Sequence, residues 1–300
     1  MREKTRRHRQ LEILNRRYTL SIYEVEELQK LDAGYEGELI FDGLLGAFIN
    51  GTNIIHIKDY NFYPANADHH LLTRPKDEAA HVQVDNVVIA KDSLYTFEIK
   101  NYNFDLHYED AKWYFENGND FTDPLMQLVK QRDMLVKLFR GMNHQIRMFN
   151  VLVFINKNQT IFNLPARNEI IVRSNLQKKL SKAMMYNHYD HSSLAANLES
   201  RRAGVLKYQG DTTVEFRELA KGVFCISCTE RLVRVNHYKF KCAKCSEEIP
   251  VLDVVKQLIM ELGILNRSWT VTPSLIQQYS DHEISEYCVR DNKNRGLLDF

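Results

Sequence analysis

One stretch of the chain, residues 81–101 with the sequence HVQVDNVVIAKDSLYTFEIKN, most constrains the fold. Two apolar runs, Val84–Ala90 and Leu94–Ile99, are rich in β-branched and aromatic residues and flank a polar Lys-Asp pair. This pattern predicts a β-hairpin. With the turn centred on the polar pair, Ala90 faces Ser93, and the register of the other cross-strand pairs follows.

This register places charged side chains opposite one another. Asp85 is expected directly across from Glu98, and Lys100 projects from the same face as Glu98 because strand side chains repeat every two residues. Two adjacent carboxylates repel, and a hard divalent cation with oxygen ligands is the simplest way to hold them together. The alternative is a solvated strand face with a surface ion pair. The opposite, buried face is expected to carry Val84, Val88, Tyr95, Phe97 and Ile99.

Further motifs lie on either side of the hairpin in the sequence. They are Gly34-Tyr-Glu-Gly-Glu38, Gln83-Val-Asp85, Glu98-Ile-Lys100-Asn101, Trp113 and Asp123-Pro-x-x-Gln127. In this order and spacing they resemble the nuclease-related domain, a branch of the PD-(D/E)xK nuclease superfamily, over about residues 34–155. Two departures are visible: Asp123 stands where the family often has Asn, and Asn103-Phe104 stands where it has Gly.

The resemblance implies an α/β fold with a mixed-sheet, restriction-endonuclease-like core and a metal-dependent nuclease acting on DNA. Asp85 and Glu98 would hold Mg²⁺ or Mn²⁺, and Glu38 would bind the metal directly or through water. Lys100 would position the attacking water, and Gln127 would be an accessory. A catalytically inactive DNA-binding protein is the alternative, and a scaffold that uses its C-terminal module for protein contacts is a third possibility.

Four cysteines form two close pairs, Cys225-x2-Cys228 and Cys242-x2-Cys245, separated by thirteen residues. Paired knuckles at this spacing are typical of a tetrahedral zinc site, and a small hairpin between them predicts a zinc ribbon. The four thiolates complete the ligand set, so the zinc is expected to be structural. His237, in the turn between the pairs, is a possible substitute ligand.

Basic residues cluster at the N-terminus and in the cysteine module. They could contact nucleic acid, or they could be solvated surface charges. The candidates are Arg6, Arg7, Arg231, Arg234, Lys239 and Lys241.

Composition sets broad limits on function. The chain has 300 residues and a formal net charge of +1, so polyanion binding must come from local patches. No apolar run is long enough to span a bilayer, and no hydrophobic segment follows the basic start. A soluble cytoplasmic protein without an organic cofactor is expected.

The sequence divides into five segments: a basic helical arm (1–33), the nuclease-like domain (34–165), a helical connector (166–218), the zinc ribbon (219–250) and C-terminal helices (251–300). The last segment could form a helix-turn-helix or pack generically. The histidine pairs His69-His70 and His188/His191 are expected to be solvated or structural, and Cys288 to be a small buried residue.

Overall fold

The computed structural model describes residues 2–63, 82–142, 145–185, 187–204 and 212–300. The chain forms two compact units. Unit 1 comprises residues 1–2 and 32–207, and unit 2 comprises residues 3–31 and 208–300. No helix in the described ranges is long and apolar enough to cross a membrane.

The described chain contains both helices and strands. The helices are α1 Arg6–Arg17, α2 Ile22–Ile49, α3 Leu125–Gly141, α4 Arg173–Met184, α5 Ser192–Ser200, α6 Val251–Leu265, α7 Pro273–Tyr279 and α8 Glu286–Asn294. The strands are β1 Ile55–Phe62, β2 Val82–Ala90, β3 Ser93–Lys100, β4 Leu106–Glu109, β5 Lys112–Phe115, β6 Asp120–Phe121, β7 Arg147–Phe154, β8 Ile161–Phe162, β9 Ile170–Val172, β10 Leu232–Arg234, β11 Lys239–Cys242 and β12 Glu248–Pro250.

The main sheet of unit 1 has the order β1-β2-β3-β7-β9 among the described strands. Its first three strands are antiparallel, whereas β3, β7 and β9 run parallel. Helices α2 and α4 pack on one face, and α3 and α5 pack on the other. Burial on both faces explains the continuous apolar run of β7. The predicted mixed-sheet α/β fold is confirmed.

The β2–β3 hairpin has the predicted register, with Ala90 opposite Ser93 and the ladder continuing to Asn86 opposite Phe97. Val84 is buried as predicted, but it does not share a face with Val88 and Phe97. Val84 and Val87 lie in the same apolar cluster, so β2 changes face between them. The neighbouring strand has an irregularity at the same level, where Asp59 adopts a left-handed φ of 48°. Asp85 lies at this kink.

Two further features of unit 1 concern its second sheet and helix α2. Residues 104–115 do not extend the main sheet but belong to a small second sheet of order β6-β5-β4-β8 in the described chain, whose core contains Trp113. Helix α2 runs without interruption from Ile22 through Gly34 and Gly37 to Ile49. A Ser21/Glu24 capping box lies at its start.

Gly37 allows α2 to approach the end of β3 closely. A Cβ atom at Gly37 would lie 2.7 Å from the Asn101 Cβ atom and 3.1 Å from the Ile155 Cγ2 atom. The Asn101 side-chain amide also donates a hydrogen bond of 2.8 Å to the carbonyl of Ala33 on the same helix. This close contact fixes the position of the next residue on the helix, Glu38, within unit 1.

Unit 2 contains the cysteine module and the C-terminal helices in one apolar core. Arg17 of α1 is buried and donates a hydrogen bond of 2.8 Å to the Glu261 carboxylate of α6. Burial opposes the negative charge of Glu261, but the nearby guanidinium groups of Arg17 and Arg16 outweigh it and lower the pKa of Glu261. Helix α8 begins at Glu286, with Ser285 as its N-cap.

Replacing Gly37 with Ala is expected to destabilise unit 1 by about 1–3 kcal/mol, because the added methyl group overlaps Asn101. The control Gly34→Ala lies on the same helix with no atom within 4 Å of its added Cβ. It should stabilise the protein by about 0.5–1 kcal/mol through helix propensity. Urea unfolding followed by Trp113 fluorescence, in a Trp269→Phe background, measures both. Equal effects of the two changes would contradict the close approach.

Candidate active site and cysteine centre

Glu98 and Lys100 lie side by side at the end of β3. The Lys100 Nζ atom is 2.7 Å from Glu98 Oε1 and 3.0 Å from Gln127 Oε1 on α3. Burial works against the charge of the ammonium group, but the Glu98 carboxylate outweighs it and raises the pKa of Lys100. Three of the predicted site residues therefore lie together, with Lys100 as a cation between Glu98 and Gln127.

Asp85 lies beside this group on the neighbouring strand. Its Oδ2 atom accepts a hydrogen bond of 3.4 Å from the Ile99 amide, which comes between Glu98 and Lys100 in the chain. Burial raises the pKa of Asp85 well above its ordinary value, and the charges of Glu98 and Glu38 raise it further. The predicted proximity of the Asp85 and Glu98 carboxylates is thus accompanied by mutual repulsion.

Glu38 approaches the same region from α2. Burial raises its pKa to about 7, and the carboxylates of Asp59, Asp42 and Glu98 add to the effect, although Arg2 acts against it. The Arg2 Nη1 atom is 3.3 Å from Glu38 Oε2. Glu38 is therefore close enough to Glu98 to interact electrostatically, yet its nearest cation is Arg2.

The three acidic groups do not form a closed ligand cluster. Among the described residues, the carboxylate oxygens of Glu38, Asp85 and Glu98 do not all lie within 4.8 Å of one another. Each carboxylate has a partner within the chain: Arg2, the Ile99 amide and Lys100, respectively. The ligand set predicted from the sequence therefore remains a proposal.

The sequence analysis missed two residues at this site. Gln131 lies one turn after Gln127 on α3 and donates a hydrogen bond of 2.9 Å from Nε2 to Glu98 Oε2. The four-residue spacing of the two glutamines was a usable signal, since it places them on one helix face. Arg2 is almost fully buried and also bonds to Asp42 and Asp59, which no local sequence pattern indicates.

The donor chemistry of the site fits a hard divalent cation. Asp85, Glu98 and Glu38 offer carboxylate oxygens, the ligands that Mg²⁺ and Mn²⁺ prefer. The Oε1 atom of Gln131 is buried and has no hydrogen-bond donor among the described residues. An unsatisfied acceptor beside Glu98 is suited to a water molecule of a hydrated cation.

The cysteine centre lies in unit 2. The four predicted sulfur ligands, of Cys225, Cys228, Cys242 and Cys245, lie within 4.8 Å of one another. Strands β10, β11 and β12 form a three-stranded antiparallel sheet beside them in the described chain. The arrangement fits a tetrahedral zinc ion with no open position.

The two halves of the cysteine centre repeat one backbone turn. The amide of Thr229 donates to the carbonyl of Cys225, and that of Ser246 donates to the carbonyl of Cys242, both at 3.0 Å. Thr229 and Ser246 have left-handed φ values of 63° and 62°. The sequence correctly predicted a knuckle at each pair, and His237 is not part of the cluster found among the described residues.

The basic residues predicted to contact nucleic acid have partners inside the chain. In unit 2, Arg7 pairs with Glu27, Arg231 with Asp281 and Lys239 with Glu248. Arg6 donates a hydrogen bond to the carbonyl of Ile264, and Arg234 donates one to the carbonyl of Glu283. Lys241 is exposed on β11. A nucleic-acid contact at these residues stays a prediction.

His188, His191 and Cys288 are not part of the site or the cysteine cluster described above. His69 and His70 are outside the described residues. His188 is exposed and His191 is buried just before α5, and neither belongs to a potential metal cluster among the described side chains. Cys288 is partly buried against the core of unit 2.

Purified protein is expected to contain about one zinc ion per chain, because four thiolates converge. Cys228→Ser should lose most of the zinc and unfold the cysteine module, since metal binding supplies folding free energy there. Cys288→Ser, outside the cluster, is the matched control and should keep the metal. Mass spectrometry of the metal and Trp269 fluorescence measure the two effects. Full zinc content in Cys228→Ser would contradict the assignment.

The pKa of Glu38 predicts how stability depends on pH. Its value of about 7 in the folded protein, against 4.5 ordinarily, means that the folded state keeps a proton the unfolded chain loses in this window. The contribution of Glu38 to the free energy of unfolding therefore falls as pH rises from 4.5 to about 7. The free energy of unfolding of Glu38→Gln, relative to that of wild type, should therefore rise by up to roughly 3 kcal/mol across this pH range.

Thermal and urea unfolding in chelator, at a series of pH values, measure this difference. Glu36→Gln, an exposed change on the same helix, controls for the loss of a negative charge from α2. A constant difference between Glu38→Gln and wild type over the whole window would show that Glu38 is not held in a buried, acidic environment.

Comparison with known proteins gives one match. Residues 33–155 match the family model described as the nuclease-related domain (NERD). No curated protein and no solved structure matches the chain. The mixed sheet and the later four-cysteine cluster are consistent with a nuclease-like core followed by a zinc ribbon. The match covers 123 of the 300 residues and includes every predicted active-site residue, from Glu38 to Gln127.

Proposed function

We propose that unit 1 is a metal-dependent nuclease that hydrolyses DNA phosphodiester bonds. The observation that carries the proposal is the juxtaposition of Asp85, Glu98 and a charged Lys100 at the end of a buried hairpin. It occurs within the segment that matches the nuclease-related domain. A structural ion pair does not require a second buried carboxylate at its side, since that carboxylate raises the electrostatic cost.

In this proposal Asp85 and Glu98 are the principal ligands of Mg²⁺ or Mn²⁺, and Glu38 binds the ion directly or through water. A bound divalent cation polarises a phosphoryl oxygen and lowers the pKa of its water ligand. A positive ion would also relieve the repulsion that raises the pKa of Asp85 and of Glu38. Buried, mutually repelling carboxylates are a common feature of functional sites.

Lys100 serves as a cation in the proposed reaction, not as a general base. Its raised pKa keeps the ammonium group protonated at neutral pH. From its position between Glu98 and Gln127 it can orient the attacking water and stabilise the negative charge that develops on the phosphoryl oxygens. Gln127 holds the ammonium group in place, and Gln131 holds the Glu98 carboxylate.

Arg2 is a positioning residue in this scheme. Its guanidinium group contacts Glu38, Asp42 and Asp59, and it also donates to the Asp85 carbonyl at 3.2 Å. It therefore neutralises part of the negative charge behind the site and fixes the backbone from which the Asp85 side chain projects. The proposed cation would then be held mainly by Asp85 and Glu98.

The competing function is DNA binding without turnover. It is favoured because each of the three carboxylates already has a partner within the chain. These partners are Arg2, Lys100 and the Ile99 amide. Under this alternative the polar cluster stabilises the fold, and the core and the cysteine module contact nucleic acid. A scaffold role for the ribbon would leave no DNA binding even at low salt.

Plasmid cleavage distinguishes these functions. Wild-type protein should nick or linearise plasmid DNA with Mg²⁺ or Mn²⁺ and not with chelator. Asp85→Asn and Lys100→Ala should lower the rate by at least about 10²-fold, because each removes a group that acts on the transition state. Lys112→Ala, an exposed change on β5, is the matched control and should cleave like wild type.

DNA binding is measured in parallel by fluorescence anisotropy. Binding without cleavage under any divalent metal would favour the binding protein, and equal cleavage by wild type and Asp85→Asn would show that the activity lies elsewhere. Absence of both cleavage and binding at low salt would favour the scaffold.

A further inference from the structure

The main sheet has an incomplete edge. Strand β3 pairs with β7 from Arg147 to Phe154, but β9 covers the other side of β7 only from Leu152 to Phe154. No described strand pairs with the outer edge of residues 147–151. An open strand edge presents main-chain donors and acceptors that can pair with another extended chain.

The unpaired main-chain groups belong to two alternate residues. The amide of Leu152 donates to the Glu169 carbonyl at 2.7 Å, on the outer side of β7. Because main-chain groups alternate in direction along a strand, the amides and carbonyls of Met148 and Asn150 point to the same side. They form a short ladder without a strand partner in the described chain.

A groove of about 820 Å³ lies along this edge. Helix α3 forms one wall through Leu125, Leu128 and Val129, and α4 forms the other through Leu180. Phe149 stacks on Tyr95 at 5.1 Å between ring centroids on the α4 side. Val129 remains 60% exposed and Phe149 44% exposed, so apolar surface on both walls is left open. The groove occupies the position of one further strand.

The charge around the groove is positive. Arg132 on α3, Lys179 and Lys182 on α4, and Arg167 before β9 line it, against the acidic Asp123 and Glu169. An acidic occupant is favoured by this excess. A second copy of the chain is disfavoured, because a two-fold axis would set one basic rim against another.

We propose that this groove binds an extended acidic peptide of a partner protein, which adds to the main sheet as a strand beside residues 147–151. The peptide would pair with the main-chain groups of Met148 and Asn150 and place alternate apolar side chains against the α3 and α4 walls. Its acidic side chains would meet the basic rim. Single-stranded nucleic acid fits less well, because its phosphates cannot reproduce the alternating donors of a strand.

The test uses full-length protein and a fluorescein-labelled peptide in which pairs of glutamates alternate with pairs of valines, so that valines face both walls of the groove. Fluorescence anisotropy should give a dissociation constant on the order of micromolar, as is usual for short peptides in one groove. The double variant Lys179→Glu/Lys182→Glu should bind at least tenfold more weakly. Lys178→Glu, an exposed change on the same helix that does not line the groove, should bind like wild type.

Two further peptides test the strand geometry and the charge. A peptide N-methylated at every residue loses its main-chain donors on both edges and should not bind, and a lysine-valine peptide should not bind either. Failure of the glutamate-valine peptide to bind, or equal binding of its N-methylated form, would overturn the proposal. Both outcomes are independent of nuclease activity, because only binding is measured.

The other occupants give distinct results. A single-stranded oligonucleotide could displace the peptide and also bind the double lysine variant at least tenfold more weakly than wild type. This result would assign the groove to nucleic acid and overturn the proposal. A dimer in analytical ultracentrifugation that Val129→Glu converts to a monomer would assign it to a second copy and would also overturn it. Thermal unfolding of each variant verifies its fold.

Discussion

Unit 1 depends on how buried negative charge is balanced at one end of its main sheet. Glu38, Asp85 and Glu98 approach one another from a helix and two strands, and burying such groups costs several kcal/mol each unless a cation compensates them. Arg2 and Lys100 supply part of this compensation. Burial still raises the pKa of Asp85 and of Glu38, and the neighbouring carboxylates add to the effect. The remaining deficit of positive charge is the physical basis of the proposed metal site.

The packing of the backbone creates this charge cluster. Gly37 lets α2 contact Asn101 directly after β3, and Glu38 follows Gly37 on the helix. The kink of β1 and β2 places Asp85 beside the Ile99 amide. Helix α3 then brings Gln127 to Lys100 and Gln131 to Glu98. The same three-layer packing leaves the outer edge of β7 open, so the proposed peptide groove is a consequence of a short β9.

Local patterns predicted much of this arrangement. The hairpin register followed from apolar alternation and one polar turn, and the cysteine spacing identified the four-sulfur cluster. The change of face near Asp85 was not predictable, because it arises from a left-handed residue, Asp59, on the neighbouring strand. The role of Arg2 was also hidden, since the acidic partners of its side chain lie at least 36 positions away in the chain. Gly34 and Gly37 do not interrupt α2, because its tertiary packing outweighs their low helix propensity.

The central claim is that Asp85 and Glu98 hold a divalent cation with Lys100 at its side. Anomalous diffraction from a crystal soaked in Mn²⁺ tests it most directly. The account predicts an anomalous peak within coordination distance of carboxylate oxygens of both residues. A peak that contacts neither residue, or none near them at a Mn²⁺ concentration that supports activity, would contradict it.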